Sequence, residues 1–246
     1  MQPMLTLKQI KMIRNLRDRK FRYETKRYWA EGTRTLSSLI DLGTEVEYFV
    51  LKEGEALPQE MLAYQARIYH CRLKDISRIK STSTFPGIGA VLKIPPLRPL
   101  TGKRIIALDR INDPGNMGAL YRTALWFGVR DFLMDSQSVD PFHEKVVRSS
   151  MGALGGIRFQ MVHDLKKEIL KIRHKGYAII ASDLNGYPIQ KTKHEKWVLL
   201  VGNEANGLSQ GLLDVSDDRF RINGSGKMES LNVVVALGIF LHQFTT

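Results

Sequence analysis

Four short apolar runs restrict what the rear of this chain can fold into: Arg104 to Leu108, Asp131 to Met134, Tyr177 to Ala181 and Trp197 to Val201. A strand wetted on one face alternates apolar and polar residues, and these runs do not. They suit strands of a parallel sheet that is covered on both faces. Helical patterns follow or separate them at Asn116 to Phe127, His143 to Ala153, Leu165 to Lys175 and Leu231 to Phe244. Strand and helix in alternation specify α/β architecture.

Ahead of these runs lies Ile94-Pro95-Pro96-Leu97-Arg98-Pro99, where three prolines in five residues sustain neither a helix nor a central strand. The expected organisation is a front domain over 1–94, a stiff linker over 95–101 and a rear domain over 102–246. The chain of 246 residues carries 37 Lys+Arg against 25 Asp+Glu, a formal charge of +12 that favours a polyanionic partner such as nucleic acid. One cysteine, Cys71, excludes an intrachain disulfide and a cysteine-cluster metal site, and reads as a small buried hydrophobe. Lys8, Lys11, Arg14 and Arg17 interrupt any signal-like apolar stretch, and no run reaches the length of a membrane span. A cytoplasmic protein without membrane contact is expected.

In the front domain Leu7, Ile10, Ile13 and Leu16 fall at helical spacing among Lys8, Lys11, Arg14, Arg17, Arg19, Lys20, Arg22, Lys26, Arg27 and Arg34. Phe21, Tyr23, Tyr28 and Trp29 interleave with this charge. Cations that hold phosphates, beside rings able to stack on bases, describe an RNA-contacting surface. The alternative is a solvated helix face with its aromatics packed inward. Strands are expected at Glu45 to Leu51 and Gly89 to Lys93, with helical stretches near Leu57 to Ala66 and Leu73 to Lys80, giving a small mixed α/β domain.

Three segments of the rear domain combine glycine or a small amide with an apolar run at a strand-to-helix junction, where ligands collect in open α/β sheets. In Asn112-Asp113-Pro114-Gly115-Asn116-Met117-Gly118, Pro114 and Gly115 force a turn and Asn116 reads as the N-cap of the next helix. On that helix Leu120, Ala124 and Phe127 mark the buried stripe. Arg122 lies about 200° round from Leu120 and so leaves the core, either toward a cleft or as an ordinary surface arginine. In Val201-Gly202-Asn203-Glu204-Ala205-Asn206-Gly207-Leu208, Gly202 permits close backbone approach and Gly207 a turn. The dinucleotide glycine fingerprint and the P-loop lysine are both missing from it. Glu204 suits either a hydrogen-bonding role or a helix cap. In Ser230-Leu231-Asn232, Ser230 reads as the N-cap of a strongly apolar helix whose amides would accept an anionic group, with Asn232 in its first turn.

Together these segments resemble the three motifs of the SpoU/TrmH family of the SPOUT superfamily, S-adenosylmethionine-dependent RNA 2′-O-methyltransferases, over roughly Arg104 to Phe244. The front segment resembles the ribosomal-protein-like RNA substrate-binding domain that many members carry, through Arg14-Asn-Leu-Arg-Asp-Arg-Lys20 and Glu31-Gly32. The resemblance implies a parallel-sheet methyltransferase domain with a C-terminal trefoil knot, and a homodimer formed through that domain. It implies that Gly202, Ile222 and Leu231 surround S-adenosylmethionine, and that Asn116, Arg122, Glu204, Ser230 and Asn232 are the functional positions. Asn223 and Gly224 stand where the family usually has Pro-Met, and Val234 where a serine is common, which bears on the rim of the cofactor pocket. The implied substrate is structured RNA, ribosomal RNA ahead of transfer RNA. A non-catalytic RNA-binding factor that keeps the fold, and a base-modifying methyltransferase, are the alternatives.

Overall fold

The front helices begin where side chains satisfy the first backbone amides. In the computed structural model, which describes residues 3–64, 66–203 and 205–245, Thr6 and Gln9 form a reciprocal capping box at the start of α1 (Leu7–Asn15). Asp18 caps α2 (Arg19–Thr25) by accepting from the Phe21 amide at 2.8 Å. There follow β1 (Arg27–Glu31), α3 (Thr33–Asp41), β2 (Val46–Lys52), β3 (Arg67–Cys71), α4 (Ile76–Ile79) and β4 (Ile88–Lys93). The sheet order is β1-β4-β2-β3; β4 runs antiparallel to both neighbours and β2 and β3 are parallel. Ile10, Ile13 and Leu16 lie in one apolar cluster with Trp29, Val50, Cys71 and Val91. Burial pushes the Cys71 thiol up to about 11, in keeping with a packing role.

In the rear come β5 (Arg104–Asp109), α5 (Pro114–Trp126), β6 (Asp131–Asp135), α6 (Glu144–Ser149), β7 (Arg158–Val162), α7 (Leu165–Arg173), β8 (Ala178–Pro188), β9 (Trp197–Gly202), α8 (Gln210–Leu213), β10 (Asp218–Arg221) and α9 (Val233–Thr245). Six strands form one all-parallel sheet in the order β10-β8-β9-β5-β6-β7. On one of its faces Ile105, Ala107, Leu133, Ile179, Val198 and Leu200 join Ile169 and Ile172 of α7 in a single buried cluster. This is the fold class expected of the rear. No helix among the described residues is long and apolar enough to cross a membrane.

The chain divides into two compact units, Met1–Pro96 with Asp140–Gly156, and Leu97–Val139 with Ile157–Thr246. The stretch 140–156 of the expected 102–246 domain packs with the front unit. Its anchors explain this. Asp140 pairs with Arg22 in a buried ion pair, Arg22 Nε donating to Asp140 Oδ2 at 3.0 Å, and the Phe142 ring sits 4.9 Å from that of Tyr28. The same contacts correct the reading of the basic, aromatic stretch. Arg22, Tyr28 and Trp29 are buried in the front core, whereas Tyr23 is partly exposed with its hydroxyl turned onto Asp140. Neither α2 nor the amphipathic α3, whose Leu36, Leu39 and Ile40 are buried, was anticipated from the sequence. Among its described residues Leu57 to Ala66 holds one short turn, Gln59–Met61, and β3, β7 and β10 lack the apolar runs that mark the other strands.

Candidate active site

Strands β5 and β9 are neighbours in register, Asp109 opposite Gly202, so their following loops leave the sheet side by side. The first loop enters α5. Asp113, not Asn116, is the N-cap: its Oδ1 accepts from the Asn116 amide at 2.7 Å, with Pro114 and Gly115 inside the first turn. The reason is Pro114, whose fixed φ and missing N–H suit the first helical position and set the cap one residue before it. The Asn116 side chain is thereby turned to another use. Its Oδ1 accepts from Asn232 Nδ2 at 3.2 Å, joining two motifs 116 residues apart in sequence.

Asn232 in turn caps α9. Its Oδ1 accepts from the Val234 amide at 2.9 Å and its backbone oxygen from the Ala236 amide at 3.0 Å. Ser230, expected in that role, lies two residues before that cap and is exposed. Farther along, Thr123 Cγ2 lies 3.7 Å from where a Gly238 Cβ would stand, and the Phe127 ring is 6.4 Å from that of His242. These three contacts ascend both sequences, so α5 and α9 run side by side in the same direction. Their positive amino ends therefore meet at the carboxyl end of the sheet, where they favour a negative group.

The loop after β9 folds back on the strand it leaves. A Cβ on Gly202 would fall inside the backbone of Gly207 and Leu208, and Gly207 turns the chain at φ +60°. Gly202 thus serves a close approach of the chain to itself. Asn203 organises the loop from within: its Oδ1 accepts from the amides of Ala205 (2.9 Å) and Asn206 (3.3 Å), and its Nδ2 donates to the Arg110 carbonyl at 2.9 Å. Asp109 Oδ2 accepts from the Ser209 amide at 2.8 Å. Arg110 donates to both Asp109 oxygens, at 2.9 and 3.1 Å, and this bonding raises the guanidinium's pKa above its ordinary value.

Of the expected site residues, the structure ties Asn116 directly to Asn232. Arg122 is exposed on α5, away from the buried Leu120 and Ala124. Ile222, half-buried, follows β10, and Leu231 is exposed on the segment leading to α9. Glu204 lies outside the described residues. Asp109, Arg110 and Asn203 were not anticipated. Asp109 and Arg110 do follow directly on an apolar strand, a usual position for site residues, but nothing local announces that one arginine there adopts a positive φ.

The SpoU rRNA Methylase family matches residues 103–242, and the MRM3-like substrate binding domain matches residues 8–90. The chain belongs to the SpoU rRNA methylase family. This SpoU chain is 27% identical over 235 residues to the Bacillus subtilis 23S rRNA (guanosine(2553)-2′-O)-methyltransferase RlmP, spanning 95% of this chain and 94% of that protein. Among solved structures, an AdoMet-bound rRNA methyltransferase from Sinorhizobium meliloti superimposes with a TM-score of 0.82 at 27% identity, covering 98% of this chain and 95% of the other. A TrmH-family chain from Porphyromonas gingivalis gives 0.83 at 28% identity and 98% coverage of both.

Proposed function

We propose that this SpoU protein is an S-adenosylmethionine-dependent methyltransferase acting on a ribose 2′-hydroxyl of structured RNA, ribosomal RNA in preference to transfer RNA. The observation that carries the reading is the Asn116–Asn232 bond, which sets two amides and two helix amino ends together at the carboxyl end of the sheet. Family membership and the cofactor-bound relative from Sinorhizobium meliloti support the choice of donor. The residues fit that donor: the half-buried Ile222 and exposed Leu231 offer apolar surface to a purine, and the converging helix ends suit a carboxylate. Gly202, Ile222 and Leu231 would hold it. Bound there, it supplies an electrophilic methyl group on a sulfonium.

The chain's own residues then have a ribose to orient. Asn116 and Asn232 fix the sugar together with Ser230, while Arg122 holds an RNA phosphate and stabilises the developing alkoxide. A guanidinium surrenders a proton too reluctantly to act as the base. Glu204 belongs to the same set as an acceptor. The knotted C-terminal path is part of this reading.

The test is transfer of tritiated methyl from S-adenosylmethionine to ribosomal RNA from cells that lack the protein, followed by alkaline hydrolysis. Ribose methylation blocks cleavage at its own phosphodiester, so label is expected in alkali-resistant dinucleotides. Label in mononucleotides would mean base methylation, and cofactor binding without any transfer would leave an RNA-binding factor; either overturns the proposal.

The reading includes a homodimer. Val235 (51%) and Ile239 (37%) are exposed one helical turn apart on α9, apolar surface that a partner would cover, and Trp126 at the end of α5 is 86% exposed. Light scattering is expected to give twice the 28.0 kDa chain mass for the native protein, and a single chain mass for Val235→Asp combined with Ile239→Asp. A native protein of one chain mass would sink the dimer.

A further inference from the structure

We propose that Arg110 is a positioning residue for the cofactor loop, its guanidinium clasping the turn at residues 205–209 in the shape that receives S-adenosylmethionine; this rests on the reading of the site given above. Arg110 sits at φ +58°, a left-handed backbone conformation that an arginine adopts at a cost and a glycine adopts freely. The surroundings over-determine it. Its amide donates to Asp135 Oδ2, and its carbonyl accepts from Asn203 Nδ2. This backbone bend turns the side chain back onto Asp109, whose carboxylate is 7% exposed while the guanidinium is 31% exposed. From there Nη2 also reaches the Gly207 carbonyl at 3.4 Å.

The guanidinium therefore bridges the end of β5 to the turn of the loop after β9. Asp109 completes the bridge from the other side through the Ser209 amide. Together Arg110 and Asp109 hold both flanks of the turn, while Asn203 satisfies its interior amides. A planar, forked donor matches the Asp109 carboxylate with two parallel bonds; a lysine ammonium carries three donors but no such fixed fork. Backbone strain kept at such a place marks a functional constraint when the side chain it positions has a task.

Arg110→Gly isolates the side chain, because glycine keeps the backbone bend and its bonds to Asp135 and Asn203. In the protein without ligand, amides of residues 205–209 are expected to exchange with deuterium about tenfold faster, while those of β5 and β9 stay unchanged. By calorimetry S-adenosylmethionine is expected to bind about tenfold more weakly, with turnover at saturating cofactor within about twofold of native. Arg110→Lys should leave β5 and β9 equally unchanged and recover only part of the affinity; it carries the same comparison should the glycine variant not fold. Native-like binding by Arg110→Gly, with the native protein binding normally, overturns the proposal alone. Exchange that accelerates equally in the strands and the loop overturns it as well, since the arginine is then merely structural. A native protein that binds no S-adenosylmethionine overturns the functional reading, and the proposal with it.

Discussion

Arg122→Ala is expected to lower methyl transfer by about a hundredfold or more while S-adenosylmethionine binding stays within about twofold of native. The argument is one of placement. Arg122 is exposed on α5, the helix whose amino end carries Asn116, and its side chain makes no hydrogen bond or ion pair among the described residues. A folded protein loses little when such an exposed side chain is shortened, because alanine is the best helix former. Any large effect therefore belongs to the reaction. A planar cation at this point grips a phosphate with two parallel bonds and meets negative charge as it develops on the sugar oxygen. Arg122→Lys keeps the charge but not the fork, and an intermediate rate is expected. Calorimetry reads the binding and tritiated-methyl transfer reads the rate. Turnover by Arg122→Ala close to native would remove this residue from the mechanism.

Asp140→Ala is expected to destabilise the front unit by about 3–5 kcal/mol, read as a shift of its urea unfolding transition. Arg22 is 2% exposed and Asp140 5%, and the guanidinium also donates to the carbonyls of Leu16 (2.8 Å) and Arg17 (2.9 Å). Tyr23 donates its hydroxyl to the other Asp140 oxygen at 2.8 Å, and burial, reinforced by the carboxylate, pushes that phenol well above its ordinary range. Deleting the carboxylate leaves a cation buried without a counter-charge, which is why breaking the pair costs more than the pair itself contributes. Replacing both partners by apolar residues of similar size, Arg22→Met with Asp140→Leu, should recover much of the loss. A loss below about 1 kcal/mol in Asp140→Ala would mean that water reaches the cation, and that the pair does not hold residues 140–156 to the front unit.

The parts of this protein legible in its residues share one property: their partners do not matter to the pattern. Strands β5, β6, β8 and β9 lie inside the parallel sheet and are apolar on both faces, so each declares itself. The edge strands β7 and β10 are only partly buried, with sequences Arg-Phe-Gln-Met-Val and Asp-Arg-Phe-Arg, and they pass for loops. In the front unit the chemistry of Arg22, Tyr28 and Trp29 fits a nucleic-acid surface as well as it fits a core. Asp140, 118 residues after Arg22, decides between them. Composition could state that the chain has a surplus of cations; it could not say which of them is spent internally.

The candidate site divides along the same line. Residue types and their order alone identified the three motifs, the family and the residues to test, because glycine, proline and amide chemistry acts locally. Folding added what depends on contacts between distant segments. Asn116 and Asn232 meet because α5 and α9 lie parallel, and the loop after β9 is held because β5 ends beside it with Asp109 and Arg110. Even the helix caps moved, to Asp113 because Pro114 fills the first turn, and to Asn232 because α9 begins only at Val233. A hydrogen bond joins two groups, and a linear reading sees one of them at a time; the second is supplied by packing.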